Sequence, residues 1–217
     1  MALKESALRM GAKVHFRGEM MRKIALITIF TLGLGLVPAA FAQNHGEVGA
    51  FFDYFRLHTT DTNHYGVGGR LSFNVHPNVQ LEAEMAYDFA RSFNEGFTCT
   101  GTSCTGTGGT NRTRLRILHG LFGPKLQTGG EAVRAFLTVK GGFINFRLDN
   151  RPATFGTFTS SVDNLRTDNV NGVVYPGGGV EFYLGPIGIR GEAGDEIYFN
   201  HGAHNNLRVA IGPNIRF

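Results

Sequence analysis

Val79-Gln80-Leu81-Glu82-Ala83-Glu84-Met85-Ala86-Tyr87-Asp88-Phe89 decides how the rest of the chain is read. Its odd-numbered positions are apolar throughout. Its even-numbered positions carry Gln80, Glu82, Glu84 and Asp88. Successive side chains of a strand point to opposite faces, so the stretch predicts a β-strand with one apolar and one acidic face. One such strand suits a soluble sandwich as well as a membrane barrel, and its neighbours separate the two.

Working outward, seven further segments alternate in the same way, over about 47–58, 65–75, 112–126, 132–147, 173–184, 187–199 and 207–217. In the first, Val48, Ala50, Phe52 and Tyr54 lie opposite Gly49, Phe51 and Asp53. In the last, Leu207, Val209, Ile211, Pro213, Ile215 and Phe217 lie opposite Arg208, Ala210, Gly212, Asn214 and Arg216. Segment 112–126 sets Arg112, Arg114 and Arg116 against Leu115, Ile117 and Leu121, with its parity open at Gly123-Pro124-Lys125. The connections alternate too. Tight turns fall at Pro77, Gly129 and Pro186, and long polar stretches lie over about 90–111 and 148–169. Transmembrane barrels place short turns at one end and longer loops at the other.

The polar faces collect Asp53, Glu82, Glu84, Asp88, Glu181 and Glu192 against Arg70, Arg114, Arg116, Arg134, Lys140, Arg190 and Arg208. Facing lipid at mid-bilayer, each Arg would cost ~2–4 kcal/mol. Facing inward, these groups pair, and arginine suits bidentate pairing with carboxylates. An eight-stranded barrel is just wide enough inside for side chains to fill it. The expectation is an all-β protein, an eight-stranded antiparallel up-and-down transmembrane β-barrel. Its interior ion-pair network includes Glu82, Glu84, Arg114, Arg116, Arg134, Glu181, Arg190 and Glu192. Glu82 and Glu84 read as structural partners rather than catalytic or ion-conducting groups, so no catalytic residue, cofactor or metal ligand is assigned.

The chain has 217 residues and a formal charge of +4. Met21–Ala42 has a basic start at Arg22 and Lys23, an apolar run from Ile24 to Val37, and small residues at Ala40 and Ala42. That is the layout of a secretory signal cleaved after Ala42, and the run is too short to span a bilayer. Residues 1–20 read as a mis-called start, since Met20 and Met21 are both plausible initiators. The expected domains are therefore a leader over 1–42 and a barrel over 43–217. Of 21 basic and 17 acidic residues, six and two fall in the leader, leaving 15 of each. That balance argues against a nucleic-acid partner. Cys99 and Cys104 are the two cysteines, close together in a Thr/Gly-rich stretch. In an exported chain they read as a local disulfide.

Together the signal, the eight alternating strands, the inward charges and the terminal Leu207, Val209, Ile211, Ile215 and Phe217 resemble the OmpA/OmpX-type outer-membrane β-barrel proteins. Gly191-Glu192-Ala193-Gly194-Asp195-Glu196-Ile197-Tyr198-Phe199 also looks like the seventh strand of bacterial barrels of this kind. The resemblance covers the segment after the leader, and its motifs are patterns rather than catalytic fingerprints. It implies residence in a Gram-negative-type outer membrane and outer-membrane lipid as surroundings. It further implies insertion by the barrel-assembly machinery, which would read Ile215 and Phe217, and a monomer. Two features depart from the family. The chain stops at Phe217, without the peptidoglycan-binding domain of full OmpA-type proteins. It also has no Trp, so an aromatic girdle would draw on Phe52, Tyr54, Phe73, Tyr87, Phe89, Phe182 and Phe217.

For function, the leading expectation is a non-enzymatic barrel acting through outer loops 93–111 and 148–169. Three alternatives stand beside it. One is a narrow, porin-like channel. Another is a lipid hydrolase using His201, His204 or His119 near Asp195 and Glu196. The third is a lipocalin-like soluble barrel with the apolar face inward.

Overall fold

The structure, a computed structural model, describes residues 46–100, 108–130, 132–149 and 157–217. The expected leader with its cleavage after Ala42, and Cys104 of the expected disulfide, lie outside those residues.

The described chain forms β1 (Gly46–Leu57), β2 (Thr62–His76), β3 (Val79–Thr100), β4 (Gly109–Gly129), β5 (Val133–Leu148) and β6 (Thr157–Ser160). A short helix α1 (Asp163–Thr167) follows, then β7 (Val170–Leu184), β8 (Ile187–Asp195), β9 (Ile197–Phe199), β10 (Ala203–His204) and β11 (Leu207–Arg216). Eight positions make the wall, each antiparallel to its neighbours: β1, β2, β3, β4, β5, β7, the broken strand β8–β9, and β11. Pairing of β1 with β11 closes the ring. Phe217 extends that seam, its N–H donating to the Gly46 carbonyl (2.9 Å) while Gly46 donates back (3.0 Å).

Turn chemistry explains the tight end. Gly129 and Gly185 take φ of +125° and +67°, which L side chains rarely adopt. Pro77 and Pro186 supply the fixed φ of their turns. Both ends of the wall, Gly46 and Phe217, lie at this end with the turns.

Beyond the barrel's other end the described parts of the expected loops carry regular structure. Of 93–111, the described ends are strand: β3 runs on to Thr100 and β4 begins at Gly109. Within 148–169, β6 pairs with the extension of β3, Phe97 opposite Ser160 and Thr98 opposite Thr159. The helix α1 sits in the same segment. Sequence-level alternation fails here because Gly, Thr, Ser and Asn give no face to alternate.

Candidate functional site

The wall's exterior is apolar. Phe52, Leu71, Met85, Phe122, Leu137, Ile189 and Ile211 are all exposed. Aromatic rings mark both borders: Phe73 and Phe182 towards the turn end, and Tyr54, Tyr65, Tyr87 and Phe89 towards the loop end. Tyr54 and Tyr65 lie 5.6 Å apart, and Tyr87 and Phe89 6.1 Å apart, centre to centre. No water-soluble surface is built this way; it is the surface of a barrel solvated by lipid.

The inward residues of each wall strand converge on the axis. Near the turn end, Lys125 Nζ donates to Glu181 Oε1 (2.6 Å) and Glu47 Oε2 (3.2 Å). Arg134, still 15% exposed, reaches Glu47 at 3.5 Å. At mid-height, Arg190 grips Glu82 with both terminal nitrogens (2.5 and 2.9 Å) and also donates to Glu192 (2.5 Å). Arg70 reaches the same Glu192 at 3.0 Å. Lys140 Nζ lies 2.7 Å from each of Glu82, Glu84 and Glu192. Next comes Arg208, donating from Nε to both oxygens of Asp53 (3.0 Å each) and from Nη1 to Glu84 (2.8 Å). His119 ends the series, with Nδ1 2.7 Å from Glu196 and Nε2 3.2 Å from Asp88. Aromatic rings floor and separate these layers: Arg190 sits 4.1 Å from the Phe136 ring centre, and Arg70 4.4 Å from that of Phe51.

Around His119 and above it the chemistry changes. Phe55, Leu57, Phe93, Leu115, Ile117, Leu121, Ile144, Phe146, Val173, Tyr175 and Tyr198 form one buried apolar cluster inside the wall. Tyr175 and Phe55 face both zones: Lys140 lies 5.3 Å from the Tyr175 ring centre, and the Phe55 ring meets His119 edge-on at 4.9 Å. Val162 and Leu165, from the β6–α1 segment, complete the cluster. They act as a cap, tied on three sides. Phe146 N–H donates to the Asn169 carbonyl (2.7 Å). Asn200 Nδ2 donates to the carbonyls of Asn164 (3.1 Å) and Asp168 (3.3 Å). On the third side Glu95, buried on the β3 extension, accepts from Arg166 Nε (3.1 Å) and Thr113 (2.7 Å), and from Ser160. Burial alone would raise the Glu95 carboxyl; the bonds from Arg166, Ser160 and Thr113 outweigh it and hold it below its ordinary value.

Among the expected network residues, Glu82, Glu84, Glu181, Arg190 and Glu192 meet inside the wall, with Arg134 at its turn-end margin. Arg114 and Arg116 do not. They lie on the outer face, and Arg116 pairs with Asp149 (2.6 Å) at 40% exposure. The reason is register: β4 keeps one parity along its length, so Leu115, Ile117, His119, Leu121 and Lys125 all point inward. Charge on a strand does not say which face is inner once the strand leaves the membrane, and Arg112, Arg114 and Arg116 stand past that border. The interior is likewise not polar throughout, as its loop-end zone is hydrocarbon. Glu47, Lys125, His119 and Glu196 also belong to the network; the sequence reading assigns none of them to it and names His119 and Glu196 only in the hydrolase alternative. The visible signal for Lys125 and His119 was their shared odd parity. Of the histidines near the rim, His204 stacks on Tyr198 at 4.8 Å and His201 bonds to Asn200 at 2.8 Å.

No family model and no curated protein matches the chain. Among solved structures it is similar to Ail, the attachment invasion locus protein of Yersinia pestis (14% identity, TM-score 0.46, 80% of this chain and 97% of that one). It is also similar to the N-terminal β-barrel domain of Pseudomonas aeruginosa OprF (13%, 0.45, 81% and 98%). A third is Neisserial surface protein A (7%, 0.49, 80% and 96%). The architecture rests on the strand pairing and the two surfaces themselves. Closed by eight antiparallel wall strands, apolar outside and ion-paired within, the described chain has the architecture of an eight-stranded transmembrane β-barrel.

Proposed function

We propose that the protein is a closed, non-enzymatic barrel of a Gram-negative-type outer membrane, working through structure and through contacts made at its loop end. One observation carries this reading: among the described residues, buried side chains occupy the interior from the turn end to the loop end. Ion pairs occupy the turn-end and middle layers, an apolar cluster occupies the loop end, and Val162 and Leu165 seal it. A filled eight-stranded barrel supports no water column. His119, among the described residues the one interior histidine with two carboxylate neighbours, is sealed between Asp88 and Glu196 under the Phe55 ring, away from any lipid substrate. That leaves the strand extensions and the cap as the surface available to partners.

In this reading β11 carries the assembly signal, with Ile215 outward and Phe217 bonded to Gly46 across the seam, and the barrel-assembly machinery is the partner during insertion. The β1–β11 seam leaves no open edge in the wall, which supports a monomer. Cell fractionation tests the reading. The protein should partition with outer membranes and migrate faster on a gel unheated than heated. Release from cells without detergent, with one migration state, would contradict it.

A further inference from the structure

The outer face of β3, β4 and β5 changes character at one level. Up to Tyr87, Leu118 and Phe143 it belongs to the apolar belt. Immediately past that level the same three strands carry Arg91, Arg112, Arg114, Arg116 and Arg147 outward. Arg116 stands directly opposite Arg147, Arg114 opposite Ser92, and Arg112 opposite Asn94. Three adjacent strands span about 10 Å, and Arg112 to Arg116 covers about 13 Å along β4. Five guanidinium groups therefore share a patch about the size of one or two lipid headgroups.

Only one acid is seen to answer them: Asp149, on Arg116 at 2.6 Å. Among the described residues Arg91, Arg112, Arg114 and Arg147 have no carboxylate partner, and the flanking segments 101–107 and 150–156 contain no Asp or Glu. On the β1–β2 hairpin, by contrast, Arg56 is matched by Asp61 at 3.2 Å. Like charges facing each other across two strands destabilise the pair. Asp149 answers Arg116, so it is Arg147 directly opposite, with Arg112 and Arg114 beside it, that a further anion would meet. Guanidinium presents a planar fork matched to phosphate oxygens. On β3 and β4 the arginines follow the apolar belt directly, Phe89 to Arg91 and Leu118 to Arg116, and on β5 one residue, Asn145, stands between Phe143 and Arg147. A ligand with acyl chains below and phosphate above meets both parts of this surface, whereas an acidic peptide would meet only one.

We infer that the β3–β5 flank binds the phosphate headgroups of membrane lipids in the leaflet at the loop end. This assignment rests on the membrane reading given above. It makes lipid here a specific neighbour rather than a solvent, held on one side of the barrel.

The test reconstitutes the full barrel in phosphatidylcholine vesicles carrying spin-labelled phosphatidic acid or spin-labelled phosphatidylcholine. The spectra give the fraction of each lipid immobilised on the protein. The wild type should immobilise the phosphatidic acid probe several-fold in preference. Arg114→Gln, Arg116→Gln and Arg147→Gln together should bring the preference close to one. Should that triple variant not fold, molar salt on the wild type reads the same interaction, because it screens exposed charges beyond about 3 Å; the preference should then fall. Equal immobilisation of the two probes by the wild type, or a preference that survives both the variant and salt, would overturn the proposal. Inorganic phosphate at matched ionic strength should leave the preference intact, and displacement by it would reassign the patch to a soluble anion. A wild-type barrel that fails to insert into pure phosphatidylcholine would instead overturn the membrane reading itself, a result distinct from insertion without preference.

Discussion

Lys140 at mid-barrel touches three carboxylates at 2.7 Å. One layer towards the loops, Leu115 and Ile144 are just as fully buried and touch hydrocarbon. The two zones fill the same cylinder and differ in what removal of one member leaves behind. In the charged zone Lys140, Arg190, Arg208, Glu82 and Glu192 each neutralise two or three others, so a deletion strands a buried charge. In the apolar zone a deletion leaves a void and no charge. The zones also differ in their outer surroundings. The charged zone lies level with the lipid belt, where the wall's apolar side chains are committed outward and polar ones must turn in. The apolar zone starts inside the belt, at Leu121 and Tyr175, and continues past it, where the outer face turns polar, as at Arg114, and the inner face takes the hydrocarbon. The face rule inverts at the membrane border.

The largest effect should come from breaking the charged zone. Glu82 neutralises both Arg190 and Lys140. Glu82→Ala leaves them short of a carboxylate, and stranding a buried charge costs ~3–5 kcal/mol. Urea unfolding from lipid vesicles should show a loss of that size. A loss no larger than that of an exposed surface change would mean that the mid-barrel pairs are not formed as described.

That border also explains what was legible in the sequence. Val79–Phe89 sits wholly within the belt, so its alternation gave strand, faces and acid partners together. Ile187–Phe199 gave Arg190 and Glu192 in the same way. Segment 112–126 crosses the border. There Arg112, Arg114 and Arg116 look like the polar inner face of a belt strand, but they are the polar outer face of an extension. Nothing in the order of residues marks the height at which the rule turns over. The cap was illegible for a different reason: Val162 and Leu165 are two apolar residues in a polar stretch, and their burial depends on Glu95 gripping Arg166 about 70 positions away.

A smaller effect should come from that grip. Glu95→Gln removes a charged acceptor from bonds to Arg166, Ser160 and Thr113; hydrogen bonds to charged groups contribute ~1.5–3 kcal/mol each way such a series is measured. The loss should be local, seen as faster amide exchange over 157–168 while the wall strands stay protected. The Glu95 carboxyl ionises below its ordinary value when folded. Its contribution is therefore complete above the unfolded pKa, near 4.5, and fades as pH falls through the lower folded value. Exchange in the wild-type cap should accelerate over that acid range, and in Glu95→Gln the acceleration should be largely absent. A cap whose exchange ignores both pH and substitution would show that Glu95 does not hold it.

The central claim is that two unlike fillings together close the barrel. Single-channel recording of the purified wild type in planar bilayers tests it most directly. The account predicts insertion without a steady conductance, because neither the Arg190–Glu82 layers nor the Leu115–Leu165 cluster leaves a continuous water path. A stable open channel in the unmodified protein would contradict it.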